Sequence, residues 1–293
     1  MKATSLHENP KLVDEIRILL KTLGKNVTIS DFEEHILMDA ARESLRCWQT
    51  GIQLLAFAYV DAYANLCFEI APGSATHKLE KEIVDWGVSV QKQRNLANGE
   101  SATLDHSCET SNTERLAFLK RNGFKEEEIR SLFFTRSLSV PVQTASFPIG
   151  YSWRSVTPDD PIESLVDLHR SAFGTGQMTV EYRKAIMSAP QYEMGLDLLA
   201  VAPDGSFAAF CICGIDENDP TVGYTDPIGV HQTHQNKGVA KALVTEGLKI
   251  LKNRGVEKVE IGTSSKNSAM QQLALSLGFV CVSEKHWFSK AIN

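Results

Sequence analysis

A chain of 293 residues that is 43% hydrophobic exceeds what one small core requires, so two domains are expected. Its 36 acidic and 30 basic residues give a formal charge of −6, which excludes a global basic field for nucleic acid or an anionic membrane. Residues 1 to 25 are charged throughout, without the apolar core of a signal peptide, and no apolar run reaches membrane-spanning length, so the expected compartment is cytoplasmic.

Residues 1 to 44 open the chain as a helical stretch. Trp48, Trp153 and Trp287 sit in strand-like contexts and are expected in cores. The run Glu126-Glu127-Glu128 after Gly123-Phe124 reads as the start of a solvated helix turn, where negative charge suits the helix dipole. From Val140-Pro141 to Pro148-Ile149-Gly150 the chain carries prolines, small residues and no charge, which predicts a linker. Domains are therefore expected at 1–139 and 151–293, with 140–150 between them.

The second half reads as mixed α/β. Tyr151 to Val156 is an opening strand, and Thr157-Pro158-Asp159-Asp160-Pro161 offers caps for a helix from Ile162 to Phe173. A second helix spans Val180 to Ser188. Leu198 to Ala202 and Phe207 to Gly214 are strands joined by the turn Pro203-Asp204-Gly205-Ser206. Thr221 to Val230 is the next strand. A helix from Gly238 to Asn253 places Val239, Leu243, Ile250 and Leu251 toward a core. Strand Val256 to Gly262, helix Ser268 to Leu277 and a strand from Val280 to Ser289 complete the order. Cys211 and Cys213, two apart on a strand, share a face, which suits packed small hydrophobes better than a metal clamp; no metal site and no disulfide are expected.

Between Val230 and the helix lies His231-Gln232-Thr233-His234-Gln235-Asn236-Lys237-Gly238. A helix start presents N–H groups that have no partner inside the helix, and its dipole adds partial positive charge, so the junction suits a pyrophosphate. Gly238 permits close approach and Lys237 adds a formal charge. His231 and His234 either neutralise phosphate charge, relay protons or are solvated loop residues. No Gly-x-x-x-x-Gly-Lys-Ser/Thr occurs, and Gly174-Thr175-Gly176 lacks the third glycine and the preceding strand of a dinucleotide loop.

The first half reads as a decayed copy of the second. Ile70, Lys78 and Gly87 lie under Val230, Gly238 and Gly247 at an offset of 160, and Asn112, Gly123 and Phe124 lie under Asn267, Gly278 and Phe279 at an offset of 155. Where the second copy has Gly238 and Ala240, the first has Lys78 and Glu80, so side chains are expected to intrude on the amide cradle. A carboxylate about 5 Å from a phosphate costs on the order of 3 kcal/mol at an effective dielectric near 20.

Gln235, Asn236, Lys237, Gly238, Val239 and Ala240 match the Gln/Arg-x-x-Gly-x-Gly/Ala loop of the GNAT superfamily of N-acetyltransferases, and Asn267 through Leu277-Gly278-Phe279 resembles its Asn-x-x-Ala to Leu-Gly-Phe segment. The chain resembles a tandem GNAT protein, with a layout similar to the mycothiol synthase group. The resemblance implies two GNAT-like domains, each a mixed, largely antiparallel sheet flanked by helices, with a degenerate first copy. It implies acetyl-CoA as co-substrate and a small-molecule amine as partner. Ile228, Gly229 and Val230 would then meet the pantetheine arm, with Asn267 nearby, while Gln235, Asn236, Lys237, Gly238, Val239 and Ala240 form the pyrophosphate loop. Segment 172–178 would border the acceptor pocket.

An amine must lose its proton before it attacks a thioester. Neutralisation at pH 7 costs about 4.6 kcal/mol for a lysine-like amine and about 1.4 kcal/mol for an α-amino group. Asp226, where relatives often carry Glu, is the candidate base; Tyr224 either orients substrate or packs. The family's tyrosine near the thioester sulfur falls on Ala274 here, so the usual general acid is missing. That absence motivates an alternative, a catalytically silent acyl-CoA-binding regulator.

Overall fold

The computed structural model describes residues 2–5, 9, 11–24, 29–142, 144–217 and 219–292. In chain order its elements begin with β1 (Lys2–Ser5), α1 (Leu12–Leu23), α2 (Ile29–Ile36), α3 (Asp39–Ser44), β2 (Arg46–Thr50) and β3 (Gln53–Val60). Next come β4 (Leu66–Ile70), α4 (His77–Asn98), β5 (Leu104–Glu109), α5 (Thr113–Arg121), β6 (Lys125–Ser137) and β7 (Ser152–Ser155). The rest are α6 (Ile162–Phe173), α7 (Val180–Ser188), β8 (Asp197–Val201), β9 (Phe207–Ile215), β10 (Val222–Val230), α8 (Val239–Asn253), β11 (Lys258–Ser264), α9 (Ser268–Ser276) and β12 (Val280–Lys290).

The chain folds into two compact units, Met1–Arg130 with Lys285–Asn293, and Ser131–Glu284. In the first unit β1, β2, β3 and β4 form an antiparallel sheet in that order. The alternation of β3 sorts its side chains between two cores. Ala56, Ala58 and Val60 pack with Leu79, Ile83 and Val84 of α4, whereas Phe57 and Tyr59 pack with Leu12, Ile16 and Leu20 of α1. Those α1 residues recur at helical spacing, which gives the helix one apolar stripe.

The second unit carries β6, β11, β10, β9, β8 and β7 in that order. Only β10 and β11 run parallel; the other neighbouring pairs are antiparallel. Helix α8 buries Val239, Leu243, Leu248 and Leu251 against Leu198, Cys211 and Cys213. Leu165 and Leu168 of α6 meet Leu199, Phe210 and Ile212, the alternate residues of β8 and β9. Cys211 and Cys213 share one face with their sulfurs 3.7 Å apart.

Unit membership does not follow chain order. Residues Ser131 to Ser137 pair antiparallel with Lys258 to Ser264, and Phe134 and Leu138 are buried in the second unit's core. Conversely, Lys285 to Lys290 pair with Leu104 to Glu109, and Phe288 is buried beside Leu104, Phe118 and Phe124 of the first unit. The contacts thus group 131–139 with the second unit and 285–293 with the first; the chain passes between the units at 130/131 and 284/285, and 140–150 lies within the second.

Three local expectations are overturned. Lys2–Ser5, at the head of the stretch read as helical, forms strand β1 because it pairs with residues 46–49. Glu126-Glu127-Glu128 lies on strand β6, not in a helix turn: Glu126 pairs with His286 at 2.7 Å and Glu127 accepts from the Ser289 hydroxyl. Cross-strand partners hold these acids where the local sequence suggests helix-start charge. Trp48 is buried as expected, but Trp153 is 36% exposed because β7 is the outermost strand of its sheet.

Candidate functional site

Strands β10 and β11 pair at Val222↔Lys258, Gly223↔Val259 and Tyr224↔Glu260, and no further rungs follow. Past Tyr224, among the described residues, β10 keeps its ladder with β9 alone, and the register between Thr225 and Ile228 slips to take up Asp226 and Pro227. The opening holds a cavity of about 430 Å³, lined among others by Phe173, Thr225, Asp226, Ile228, Gly262 and Asn267. Thr225 is fully buried and its hydroxyl has no hydrogen-bond partner among the described residues, so the wall contains a polar group still to be satisfied.

At its far end β10 runs into the loop before α8. His231 caps a short turn over Gln232–His234, its Nδ1 accepting from the Thr233 N–H, and Tyr151 Oη lies 2.8 Å from His234 Nδ1. Both histidines therefore stitch the loop together. The Gln235 amide donates to the Val230 carbonyl at 3.3 Å, and Lys237 Nζ donates to the Thr233 carbonyl at 2.9 Å. The turn into the helix uses left-handed backbone at Asn236 and Gly238, with φ of 59° and 83°.

Gly238 is the N-cap of α8 and supplies no side-chain acceptor, so the first N–H groups of the helix, from Val239 and Ala240 onward, face outward with their dipole. A Cβ on Gly238 would meet nothing within 4 Å, although the left-handed φ of 83° would strain any residue but glycine. The donor set and the clear space suit a diphosphate.

The first unit's corresponding helix start is built differently. At α4 the Thr76 hydroxyl accepts from the Leu79 N–H at 3.2 Å. Glu80 does not intrude on the helix mouth; it is buried and turns to Arg121, at 2.8 Å from Nη2.

The structure separates the two candidate catalytic residues. Asp226 lines the cavity. Tyr224 instead lays its ring over Gly214, its partner across the β9 ladder, where a Cβ would stand 2.1 Å from the ring. Asn267 caps α9, accepting from the Met270 N–H at 3.1 Å, and also lines the cavity. Ala274 is wholly buried in the core and brings no hydroxyl to the site.

One polar cluster elsewhere in the same unit carries no sequence motif. Arg183 of α7 pairs with the fully buried Asp197 at the start of β8, and Tyr192 Oη donates to the same carboxylate at 2.7 Å. Burial pushes the Asp197 carboxyl up, against the pull of Arg183. Nearby, His169 stacks between Phe173 and Phe210, and burial together with Arg183 holds its pKa down to about 4. The cluster pins α7 to the start of β8.

Residues 162–279 match the model of the acetyltransferase (GNAT) family. The second half contains a GNAT domain. A mycothiol acetyltransferase of Kineococcus radiotolerans is 30% identical over 134 residues, 44% of this chain and 43% of that protein. Another, from Salinispora arenicola, is 28% identical over 151 residues, 49% of each chain. The chain thus matches less than half the length of these relatives. Among solved structures, a GCN5-related N-acetyltransferase from Sphaerobacter thermophilus superposes with a TM-score of 0.70 at 19% identity, covering 100% of this chain and 95% of that one. A tandem GNAT protein from the clavulanic acid biosynthesis pathway gives 0.70 at 14% identity over 99% and 98%. At these identities the likeness is one of fold, and it extends beyond the GNAT domain to the whole chain. No helix among the described residues is long and apolar enough to cross a membrane.

Proposed function

We propose that the GNAT domain transfers an acetyl group from acetyl-CoA to the amine of a small-molecule acceptor. The observation that carries this reading is the continuity of β10, which has the parted strands and their cavity on one stretch and the uncapped helix mouth at its end. The N–H groups from Asn236 to Ala240 are assigned to the diphosphate, with Gln235 and Lys237 holding the loop in shape. The β10 edge at Ile228, Gly229 and Val230 offers backbone groups to the pantetheine arm, and Asn267 borders it. Acetyl-CoA supplies an acetyl group already activated as a thioester. Asp226, at the register slip, takes the proton that the acceptor ammonium must lose. Tyr224, packed on Gly214, positions the strand beneath Asp226. The name of the mycothiol acetyltransferase relatives supports a small-molecule acceptor as a class.

A second reading, a CoA-binding regulator without turnover, is favoured by Ala274, where the hydroxyl that would protonate the departing thiolate is missing. Thiol release on mixing the protein with acetyl-CoA and a panel of primary amines decides between them. Amine-dependent release supports the transferase. CoA binding by calorimetry with no release, and no slow hydrolysis, supports the regulator; no CoA binding removes both.

A further inference from the structure

The first unit contains its own cleft, independent of the acetyl-transfer reading. Between β4 and β5 a single parallel bridge, Asn65↔Asp105, replaces a ladder, and a cavity of about 390 Å³ lies at that opening. Its volume falls in the range of small-molecule sites, about 300–1,000 Å³. Phe57, Tyr59, Phe68 and Trp287 are among the residues of its wall.

The wall holds the carboxylates of Asp61 and Glu69, the His106 imidazole and one ammonium, that of Lys285. His106 Nδ1 lies 2.7 Å from the Leu66 carbonyl. A carbonyl only accepts, so the ring proton sits on Nδ1 and Nε2 offers a lone pair. Burial, aided by Arg115, keeps this imidazole neutral by holding its pKa down to about 3. Glu69 accepts from Arg115 through Oε2 at 2.8 Å, which leaves Oε1 as a second acceptor. Burial pushes the Glu69 carboxyl up despite Arg115, so one guanidinium does not fully compensate the buried charge. Asp61, also in the wall, is engaged by the N–H groups of Tyr63 and Asn65 and by the Asn65 amide. Lys285 lines the cavity and stands opposite Glu109 in the β5–β12 ladder. One imidazole and one shared carboxylate are too few for a metal ion, and among the described residues no cluster of three ligating side chains forms.

We infer that this cleft binds a small organic ammonium ion, its N–H groups donating to Glu69 Oε1 and His106 Nε2 and its apolar body lying on the aromatic wall. The Phe68 face already carries the Arg115 guanidinium at 3.9 Å from its centroid, so the charge-assisted hydrogen bond to the Glu69 carboxylate is what favours a cation. The neutral imidazole accepts from an ammonium and repels nothing.

Calorimetry on the full chain without CoA tests this, with phenethylamine and phenylacetate as matched probes of opposite charge. Phenethylamine is expected to bind at least about tenfold more tightly than phenylacetate, and Glu69→Gln to weaken it by about tenfold or more. Asp226→Asn, in the other unit, is expected to leave that affinity unchanged. Equal or tighter binding of phenylacetate, no binding of the amine, indifference to Glu69→Gln, or loss of binding in Asp226→Asn each overturns the inference. Should Glu69→Gln fail to fold, nitrogen spectra of the wild-type histidines decide: the His106 Nε2 resonance moves on saturation with the amine, and an unmoved resonance sinks the proposal. CoA binding at Gly238 plays no part in this measurement, so the two readings fail separately.

Discussion

The helix starts at Thr76 and at Gly238 follow a strand that parts from its neighbour, yet they spend their N–H groups differently. At Thr76 a hydroxyl takes one of them and Glu80 of the first turn is buried against Arg121. At Gly238 nothing from the side chains takes any, and the backbone turns through φ 83° to leave the mouth clear. The strand openings differ in the same sense. Between β10 and β11 the gap is a cavity bordered by Asp226, whereas between β4 and β5 the His106 ring reaches across to the Leu66 carbonyl. One architecture therefore yields an uncapped helix mouth in one unit and, in the other, a side-chain-capped helix beside a cleft. What differs is which groups are left without partners.

The largest expected consequence of that contrast is on rate. Asp226→Asn should slow acetyl transfer by about 10²- to 10⁴-fold while leaving CoA affinity within about twofold, read from steady-state kinetics beside calorimetry. Next comes the cradle itself. Gly238→Glu places a carboxylate at the helix mouth on left-handed backbone, and CoA affinity should fall by about a hundredfold or more. Unchanged CoA affinity in that variant would break the comparison. The mirrored change at the other helix, Thr76→Ala, should leave CoA affinity alone and cost about 1 kcal/mol of stability in urea unfolding, because it removes a cap and not a ligand site.

The two units also share a pH dependence. His106 and His169 have pKa values held down to about 3 and about 4, against an ordinary 6.5. Below 6.5 the unfolded chain binds protons that the folded chain refuses, so stability falls as the pH drops from 6.5 toward 4; above 6.5 neither histidine takes stability away. Urea midpoints at about pH 7 and about pH 5 should differ less in His106→Asn than in the wild type. An identical difference would show that the buried imidazole does not carry its share.

Much of this fold was legible because its signals are local. Pro161 before α6, Gly174 after it and Gly238 before α8 fix helix ends within a few residues, and the apolar periods of α6 and α8 fix their faces. The turn from Gln235 to Gly238 into α8 was legible for the same reason, being one contiguous run. The exchange of strand ends was not, since Ser131 to Ser137 find their partners more than 120 residues away and nothing in their own composition names them. The buried Arg183, Asp197 and Tyr192 carry no spacing that marks a cluster, and Asp197 looks like an ordinary strand-start acid until burial is known. Glu126 to Glu128 misled for the converse reason: their local charge pattern suits a helix start, while partners on β12 hold them in a strand.

The placement of Lys285 to Lys290 against β5 has a consequence for biosynthesis. Phe288 completes a core whose other buried members all precede residue 125, so that core lacks one large side chain and a neighbouring strand when its own stretch leaves the ribosome. Leu104, Phe118 and Phe124 lack that cover until residues 285–290 have emerged as well. Maturation of the two halves is thereby joined in time, and a nascent chain stalled after the middle of its message should be more sensitive to protease in its first hundred or so residues than the finished protein.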